Sequence, residues 1–389
     1  MDMYDVLVVG GGLAGWRAAE AAVQAGASVA LVANGAGNSP DIHALNVPVG
    51  PGDSVELFIE DTLKSGRGAC DPALVETLCR ESVALAEEFP WDRKPDGSLD
   101  MLQPVGCSVP RCVSIGHHIG AWALAKLKRE LAGKVEVVRG KAISLERDSS
   151  LFTLHFSLGD DDATCAARSV VIATGGWCGK YAFTDNPPEL RGDGIALAQA
   201  LGAAVRDMDA VQYEPTVALA PAAVYGIPVI TTMLHEGATF RNARGEEFLP
   251  DKHANKDALS HAIFAEIEAG HGVDGGVWFD ATGVDPHILR TRYADTVRRY
   301  AAAGVDITRE PMLVAPAPHT SLGGIAIDAR CRVLRSDGSA IPGLFAAGEV
   351  TGGVHGRNRV GGNAGTEVLV FGRIAGREAA FDCLRLPMA

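Results

Sequence analysis

The chain has 389 residues, of which 47% are apolar and 21% are charged, and it carries a formal net charge of −13 at pH 7. This length and apolar content provide for a large core and for two domains. The acidic balance and the lack of a basic run exclude a nucleic-acid-binding surface, because phosphates are bound by clustered Lys and Arg.

Neither a membrane-spanning helix nor a metal site is expected. A spanning helix needs about 18 or more consecutive apolar residues, and the chain has no such run. The eight cysteines are scattered without paired metal spacing, and no apolar segment precedes the first predicted strand. We therefore expect reduced thiols and a cytoplasmic protein.

The first predicted elements are a strand, a glycine-rich turn, a helix and a second strand. A strand at residues 6–9 leads into a turn with Gly10, Gly12 and Gly15, an alanine-rich helix follows, and a second strand covers residues 28–32. The glycines fit the G-x-G-x-x-G pattern, in which missing side chains let a pyrophosphate approach the backbone. The pattern predicts a Rossmann-like α/β domain that binds a dinucleotide.

The end of the second strand lacks the acid that usually binds the adenosine ribose. Ala33 and Asn34 stand where a Glu or Asp is normal in such a site. A short turn through Asn38 and Ser39 follows, and Pro40 comes directly after it. We therefore expect a ribose contact of a different kind.

The middle of the chain combines helical and strand patterns. Apolar periodicity predicts helices over residues 55–92, which indicate packing without chemistry, and a further helix that ends near residue 131. Short strands that resemble a sheet edge are predicted at residues 135–138, 143–147 and 152–156. A buried strand at residues 169–173 then leads into a turn with Thr174 and Gly175, and Asp193 stands at the start of another helix.

The pattern changes between residues 217 and 310, where no Rossmann repeat occurs. Helices are predicted at residues 256–268 and near residues 286–303, and residues 312–316 are expected to return the chain to the first domain. The sequence therefore predicts an α+β insertion at residues 218–310 in a domain formed by residues 1–217 and 311–389.

Three motifs follow this insertion. They read His319-Thr320-Ser321-Leu322-Gly323-Gly324, Ala346-Ala347-Gly348-Glu349, and Gly353-Val354-His355-Gly356-Arg357-Asn358-Arg359-Val360-Gly361-Gly362-Asn363. The last one opens a long helix, whose N–H groups and positive dipole suit the anionic edge of a reduced isoalloxazine. His319, His355 and Arg359 lie beside it in the motifs and are expected to form a pocket for a carboxylate.

These motifs closely resemble the C-terminal flavin and dicarboxylate segment of the succinate dehydrogenase, fumarate reductase and L-aspartate oxidase flavoprotein family. The resemblance extends in the same order over nearly the whole chain. It implies an FAD-dependent oxidoreductase acting on CH–CH or CH–NH groups, with hydride transfer between flavin N5 and a small carboxylate-bearing substrate. It also implies that residues 218–310 form a capping domain and that the C-terminal helical domain of larger members is missing.

The resemblance assigns the contacts to FAD. In membrane-complex members a covalently bonded His follows the Ser of the turn at Ser39, whereas Pro40 stands here, so we expect non-covalent FAD. Electrons are expected to pass to a partner protein, such as an iron–sulfur subunit, or to a soluble acceptor. The expected cofactor-binding residues are Gly10, Gly12, Leu13, Ala14, Gly15, Asn34, Asn38, Ser39, Ala173, Thr174, Gly175, Asp193, Gly348, Glu349, Gly362 and Asn363.

The resemblance also assigns catalytic roles. Arg359 and His319 match carboxylate ligands of the family, and His355 is expected beside the flavin. Lys256 stands at the position of the proton-transfer Arg, and it is either an acid with a lowered pKa or a solvated helix residue. Glu214 replaces a substrate-binding His; it either suits a substrate with an amine or hydroxyl group or marks the loss of the dicarboxylate site.

Other functions stay open. An amino-acid oxidase similar to L-aspartate oxidase is favoured by Glu214, and an electron-relay flavoprotein without substrate chemistry is favoured by the substituted pocket positions, which include Cys107. A flavin–thiol exchange site at Cys107, Cys112 and Cys178 is less favoured than buried reduced cysteines. A metal pair at His117-His118 is disfavoured, since adjacent helical residues point in different directions.

Overall fold

The computed structural model describes residues 3–104, 106–116, 118–149, 151–159, 161–249, 251–252 and 254–385. The chain divides into two units. The first unit comprises Met1–Lys180, Pro187–Val211 and Ser321–Ala389, and the second comprises Tyr181–Asn186 and Gln212–Thr320.

Strands and helices are numbered in chain order over the described residues. The strands are β1 (Met3–Val9), β2 (Val29–Ala33), β3 (Leu45–Asn46), β4 (Cys112–Val113), β5 (Glu136–Arg139), β6 (Lys141–Asp148), β7 (Leu151–Leu158), β8 (Asp161–Ile172), β9 (Val205–Arg206), β10 (Val211–Ala220), β11 (Thr239–Arg241), β12 (Val277–Asp280), β13 (Met312–Ser321), β14 (Gly324–Ala326), β15 (Arg332–Leu334), β16 (Ala340–Ala346) and β17 (Thr351–Gly352). The α-helices are α1 (Leu13–Gln24), α2 (Val55–Ser65), α3 (Pro72–Ser82), α4 (Leu85–Glu88), α5 (Ile119–Glu130), α6 (Asp193–Ala200), α7 (Lys256–Glu268), α8 (Pro286–Thr291), α9 (Ala294–Ala302) and α10 (Asn363–Arg385). Short 3-10 helices lie at Ser39–Asp41, Cys178–Lys180, Ala222–Val224 and Thr231–Glu236.

Parallel strands form the centre of the first unit. An eight-stranded sheet contains β16, β8, β1, β2 and β5 in this order, all parallel to their neighbours, with β15 antiparallel at the edge. β6 and β7 continue the sheet from β8 as an antiparallel hairpin. Val6, Leu7 and Val8 are fully buried, as expected for a parallel strand covered on both faces. The predicted α/β class and the strand–turn–helix–strand order at the start of the chain are confirmed.

Helices α1 and α10 pack closely against each other in the first unit because α10 presents glycines to α1. A Cβ atom at Gly372 would lie 2.7 Å from the carbonyl oxygen of Ala14, and one at Gly376 would lie 2.0 Å from that of Ala18. Neither distance leaves room for a methyl group. The two helices that follow glycine-rich turns in the sequence are therefore in backbone contact.

The second unit is built on a four-stranded sheet with the order β10, β13, β12 and β11. Helices α7, α8 and α9 supply apolar side chains to its core, and the rings of Phe240 and Phe279 meet edge to face with centroids 5.5 Å apart. Leu259 and Ile263 of α7 are buried in the same core. The unit combines helices with a sheet that contains antiparallel pairs, which agrees with the predicted α+β insertion.

Two predicted helical stretches are divided in the structure. Residues 55–92 form α2, α3 and α4, since α2 ends before Gly66 and Asp71 caps a new helix that begins with Pro72. Residues 286–303 form α8 and α9, and Tyr293 between them leaves helical geometry with φ −113° and ψ 19°. Its buried ring belongs to the core of the second unit. Periodicity alone did not indicate these breaks.

Strand β13 keeps the chain in the second unit beyond the expected point. Val314 pairs with Val277 of β12, so residues 312–316 lie in the sheet of the second unit, and the first unit resumes only at Ser321. The physical reason is the pairing of this strand with the sheet of the second unit. The functional domain limits, residues 1–217 with 311–389 and residues 218–310, stay a prediction.

Candidate active site

The carboxyl ends of four parallel strands lie along one edge of the large sheet. β2, β1, β8 and β16 end there, as shown by hydrogen bonds from the N–H of Ala173 to the oxygen of Val9 (2.8 Å) and from the N–H of Ala347 to that of Ile172 (3.0 Å). Ligands of open α/β sheets bind outside this edge. Most of the predicted cofactor residues lie in the turns that follow these strands.

The first glycine-rich turn has no room for side chains. Gly10 has φ +126°, and a Cβ atom there would lie 2.1 Å from the oxygen of Ala173; one at Gly15 would lie 2.0 Å from the oxygen of Gly10. Gly12 precedes α1 and supplies no side-chain cap, and the first turn of α1 contains no acid. Ser39 Oγ accepts a hydrogen bond from the N–H of Leu13 at 2.8 Å. The positive start of α1 therefore stands at a bare backbone turn, which suits a pyrophosphate.

An open groove of about 440 Å³ lies at the end of β2. Asn34 is exposed beside it, and Ala33 lines it where an acid is usual. Lys128 and Arg139 line the same groove, and no carboxylate does so among the described residues. The groove therefore favours an anionic or neutral group of the ligand. It does not offer the carboxylate that usually accepts hydrogen bonds from the adenosine ribose.

The turn after β8 contains a buried hydroxyl group. Thr174 Oγ1 has no hydrogen-bond partner among the described residues, and Gly175 follows with φ +77°. Asp193 opens α6 and pairs with Lys141, with 3.3 Å between Oδ2 and Nζ. A buried hydroxyl group without a partner is rare in a protein and is explained by a ligand or water.

The turn after β16 contains two residues with different structural roles, Gly348 and Glu349. Gly348 has φ +80°, and a Cβ atom there would lie 3.0 Å from Cβ of Ala14, so this turn reaches the start of α1. Glu349 Oε1 accepts hydrogen bonds from the N–H (2.9 Å) and Oγ (3.0 Å) of Ser321. Glu349 therefore fixes the chain where β13 ends.

The start of α10 is held by a polar network that the sequence did not indicate. Asn46 Nδ2 donates to Asn363 Oδ1 at 2.7 Å and to the oxygen of Gly361 at 2.7 Å. Asn363 Nδ2 donates to Thr62 Oγ1 at 3.3 Å, and Gly362 is held in the left-handed region with φ +85°. The side chain of Asn363 is thus used within the protein to position the helix start. The polar Asn46 inside the apolar run Leu45-Asn46-Val47 was the available indication.

His355 forms a buried pair with a residue that was also missed. Its Nε2 atom lies 3.0 Å from Glu367 Oε2, and the side chains are 5% and 4% exposed. Nδ1 of His355 is buried and has no hydrogen-bond partner among the described residues. Arg359 is partly buried in the loop before α10, where its Nη1 atom donates to the oxygen of Val360 at 3.4 Å. The structure thus places His355 and Arg359 in the same loop of the first unit.

The other two predicted catalytic residues belong to the second unit. His319 Nδ1 lies 2.6 Å from Asp185 Oδ2, and Asn186 Nδ2 donates to the backbone oxygen of His319 at 2.8 Å. Asp185 has a side chain that is only 5% exposed. The segment Tyr181–Asn186, which the sequence analysis did not single out, therefore positions His319.

Lys256 is held by the residue that replaces the expected His. It is the first residue of α7, and its Nζ atom donates to Glu214 Oε2. Glu214 Oε1 also accepts from Thr231 Oγ1 at 2.8 Å and lies 3.1 Å from Thr216 Oγ1. Burial alone would raise the pKa of Glu214, but the charges of Lys256 and His319 and the hydrogen bonds of Lys256 and Thr231 outweigh it and lower this pKa. Glu214 is therefore an anion near neutral pH.

The structure does not favour a thiol exchange site. Burial raises the pKa of Cys107 and of Cys112 to about 12, so both thiols stay protonated near neutral pH and lack the reactive thiolate. Cys178 is buried as well. A different buried charge, Arg111, holds this region by ion pairs of 2.9 Å with both Asp53 and Asp61.

The described part of the chain contains neither a metal-binding cluster nor a membrane-spanning helix. No group of three or more His, Cys, Asp or Glu side chains is arranged to hold a metal ion there. His117 of the disfavoured metal pair lies outside the described residues. No helix among those described is both long and apolar enough to cross a membrane.

The fold and the site define a flavin-binding oxidoreductase. Residues 5–364 match the family of the FAD binding domain. The chain belongs to this family of FAD-dependent oxidoreductases, which contains fumarate reductase flavoproteins and L-aspartate oxidase, and FAD is its cofactor. The family, fold, cofactor and enzyme class expected from the sequence are confirmed.

Particular relatives resemble nearly the whole chain. A fumarate reductase (CoM/CoB) subunit of Methanothermobacter marburgensis is 32% identical, over 98% of this chain and 73% of the relative. The L-aspartate oxidase of Caulobacter vibrioides is 33% identical, over 97% of this chain and 76% of the relative. Among solved structures, Mycobacterium smegmatis Sdh1 in complex with UQ1 has a TM-score of 0.87 at 30% identity, over 100% of this chain and 70% of that one. The quinol fumarate reductase flavoprotein of E. coli has a TM-score of 0.89 at 27% identity, over 100% and 72%.

The residues present fit FAD. The bare glycine turn at Gly10 and Gly15 leaves space for a pyrophosphate, because a side chain at either position would collide with the backbone. The hydroxyl group of Thr174 and Nδ1 of His355 are buried polar atoms that lack a partner among the described residues. A dinucleotide with polar ring edges can supply such partners.

Proposed function

We propose that this protein oxidises or reduces a carbon–carbon or carbon–nitrogen bond beside a carboxylate in a small substrate. The observation that carries the proposal is the partly buried Arg359 in the loop before α10, because a guanidinium binds a carboxylate through two parallel hydrogen bonds. His319 is proposed as a further carboxylate ligand. Bound FAD supplies the hydride donor or acceptor at its N5 atom.

Lys256 is proposed as the proton donor or acceptor for the second carbon of the substrate. A proton donor must be held within hydrogen-bond reach of its target, and Glu214 holds the ammonium of Lys256 in a fixed position. His355 is proposed to face the flavin, with Glu367 fixing the orientation of its ring. The role of residues 218–310 as a capping domain belongs to the same proposal.

The FAD contacts are proposed in three groups. The residues from Gly10 to Gly15, with Ser39, hold the pyrophosphate; the residues at the ends of β2 and β8, with Asp193, bind the adenosine part; and the turns before α10 bind the flavin. The geometry supports this arrangement through the common sheet edge and through the approach of Gly348 to Ala14. FAD is proposed to be non-covalent, since Pro40 stands where a bonding His would be expected.

A partner protein is proposed to exchange electrons with the flavin. One relative is named as one subunit of a fumarate reductase, which supports an assembly with a further protein such as an iron–sulfur subunit. A soluble acceptor is the alternative, and a cytoplasmic location is proposed with it.

An amino-acid oxidase is the second candidate function. The resemblance to L-aspartate oxidases at 32–33% identity favours it. The structure gives it less support than the sequence did, because Glu214 is 4% exposed and its oxygens already accept from Lys256 and Thr231. A substrate amine therefore has no open carboxylate at this position. A flavoprotein that only relays electrons is the third possibility.

Anaerobic flavin spectra test these functions. The oxidised holoprotein is mixed with succinate or with L-aspartate, and the chemically reduced holoprotein is mixed with fumarate and related unsaturated carboxylates. We expect at least one carboxylate to bleach or to restore the flavin absorbance. A response to aspartate alone would favour the oxidase, and a flavin that no carboxylate changes would favour the electron relay and contradict the leading proposal.

A further inference from the structure

Two carboxylate–cation pairs lie close to each other in the second unit, and we call their four side chains the charge cluster. Glu214 pairs with Lys256, and Asp185 pairs with His319 at 2.6 Å. Both carboxylate side chains are 5% exposed, and the charge of His319 also acts on Glu214. The charge cluster thus contains two carboxylates and, at most, two cations.

The negative charge of Glu214 is fixed in place. Its two oxygens accept from Lys256 on one side and from Thr231 on the other. If Lys256 turned away to bind a second carboxylate, Glu214 would be left as a buried charge without its cation, which is strongly unfavourable. Lys256 is therefore not available as an independent positive charge.

Lys256 still has exposed donors. Its side chain is 43% exposed, and an ammonium carries three N–H groups, of which Glu214 needs one. The remaining donors can bind a neutral oxygen such as a carbonyl or ester group. They are poorly suited to an anion, because Glu214 and Asp185 cancel the positive charge of the charge cluster.

We propose that Glu214 makes the charge cluster a receptor for an uncharged end of the substrate, so that the substrate carries a single carboxylate and a neutral polar group at its other end. The inference rests on the proposed function, since it requires that Lys256 contacts the substrate. Glu214 acts as a specificity-determining residue through Lys256 and does not itself touch the substrate.

Fumarate and its monomethyl ester are a matched pair of probes. They share one double bond and differ by one negative charge. Each is titrated into the oxidised holoprotein, with binding followed by the visible spectrum of the flavin, and each is then mixed with reduced protein to follow reoxidation. We expect the native protein to bind the monoester about tenfold more tightly than fumarate, because charge complementarity sets such preferences.

The substitution Glu214→Gln tests the cause of this preference. Gln keeps the size and an acceptor for Thr231 but removes the charge, so Lys256 becomes an uncompensated cation. We expect the preference for the monoester to fall by about tenfold or to reverse. Glu247→Gln is the matched control, because Glu247 lies 3.2 Å from Lys252 in the same unit on an exposed surface. It should leave the ratio of the two affinities unchanged.

Three results would overturn the inference. Tighter binding of fumarate than of the monoester by the native protein would do so, and this comparison needs no variant that must fold. An unchanged ratio in a folded Glu214→Gln protein would also do so. If neither probe changes the spectrum or reoxidises the flavin while succinate or L-aspartate does change it, the inference alone fails; if no carboxylate changes the flavin spectrum, the proposed function fails as well.

Discussion

Arg357 and Arg359 lie two residues apart in the same loop but have different surroundings. The side chain of Arg357 is 42% exposed and pairs with Asp209 at 2.8 Å. Arg359 is partly buried, and its Nη1 atom donates to a backbone oxygen. The sequence motif contains both arginines and does not distinguish their roles. The structure assigns Arg357 to a surface ion pair and leaves Arg359 as the candidate ligand of the substrate.

We expect Arg359→Leu to lower turnover by about a hundredfold or more, because the guanidinium that binds and orients the substrate carboxylate is lost. FAD should stay bound, since Arg359 is not among the proposed cofactor contacts, which in this loop are Gly362 and Asn363. Arg357→Leu is the control and should keep turnover within about twofold, because exposed ion pairs contribute little. Steady-state rates and the ratio of flavin to protein absorbance check both variants. Retained turnover in Arg359→Leu would remove this residue from the site.

Residues that act through distant partners could not be predicted from the sequence. Asn46 bonds to Asn363 across 317 positions of the chain, and Asp185 bonds to His319 across 134 positions. Local patterns carry no information on such pairs, whereas the motifs that surround His319 and His355 could be recognised directly. The pairing of Lys256 with Glu214 was likewise not visible, although both residues were singled out as departures from the family pattern.

Helices α1 and α10 show how an element can depend on small residues. Glycine normally weakens a helix relative to alanine, yet α10 contains Gly372 and Gly376 at its contact with α1. The close approach that they allow outweighs their poor helix propensity. The packing of α10 against α1 thus explains why glycines occur in a helix, where their intrinsic propensity is unfavourable.

We expect Gly376→Ala to lower the free energy of unfolding by about 1–3 kcal/mol, because the added methyl group overpacks the contact with Ala18. The intrinsic helix preference of Ala, about 1 kcal/mol, acts in the opposite direction and is too small to offset the clash at 2.0 Å. Urea unfolding of the holoprotein measures the change. Arg377→Ala on the same helix, 44% exposed, should change stability by about 0.5 kcal/mol or less. A Gly376→Ala protein as stable as the native one would contradict the argument.

Helices and strands with a strong apolar periodicity in the sequence were predicted best. The helix expected at residues 256–268 coincides with α7. The first two predicted strands end within one residue of the ends of β1 and β2. The stretch at residues 286–303 is divided into two helices where Tyr293 packs into the core of the second unit. The packing of a single residue leaves no periodic pattern in the sequence, so the break could not be predicted. Boundaries set by tertiary contacts were therefore the parts that the sequence could not supply.

At the scale of the whole molecule, the two units carry different sets of predicted site residues. All of the cofactor residues expected from the sequence belong to the first unit, and Lys256, His319 and Glu214 belong to the second. Binding of FAD is thus assigned to the first unit, and the proposed substrate preference is assigned to the charge cluster of the second unit. Changes in the second unit are expected to alter the substrate while the cofactor site is kept.

We expect FAD to be released in full when the protein is denatured with acid, because Pro40 has no nucleophilic nitrogen with which to bond the flavin ring. The measurement is the flavin absorbance of the supernatant and of the washed pellet after precipitation. The supernatant should contain about one FAD for each chain. A yellow pellet with flavin fluorescence on a denaturing gel would show a covalent bond and would contradict the prediction.

The contact between α1 and α10 also has a consequence for biosynthesis. The glycine turn at residues 10–15 is synthesised well before Gly348 and Gly372, which contact Ala14 in this turn. A nascent chain therefore holds an unsupported turn until these two residues have been added. Uptake of the flavin must accordingly follow the synthesis of α10.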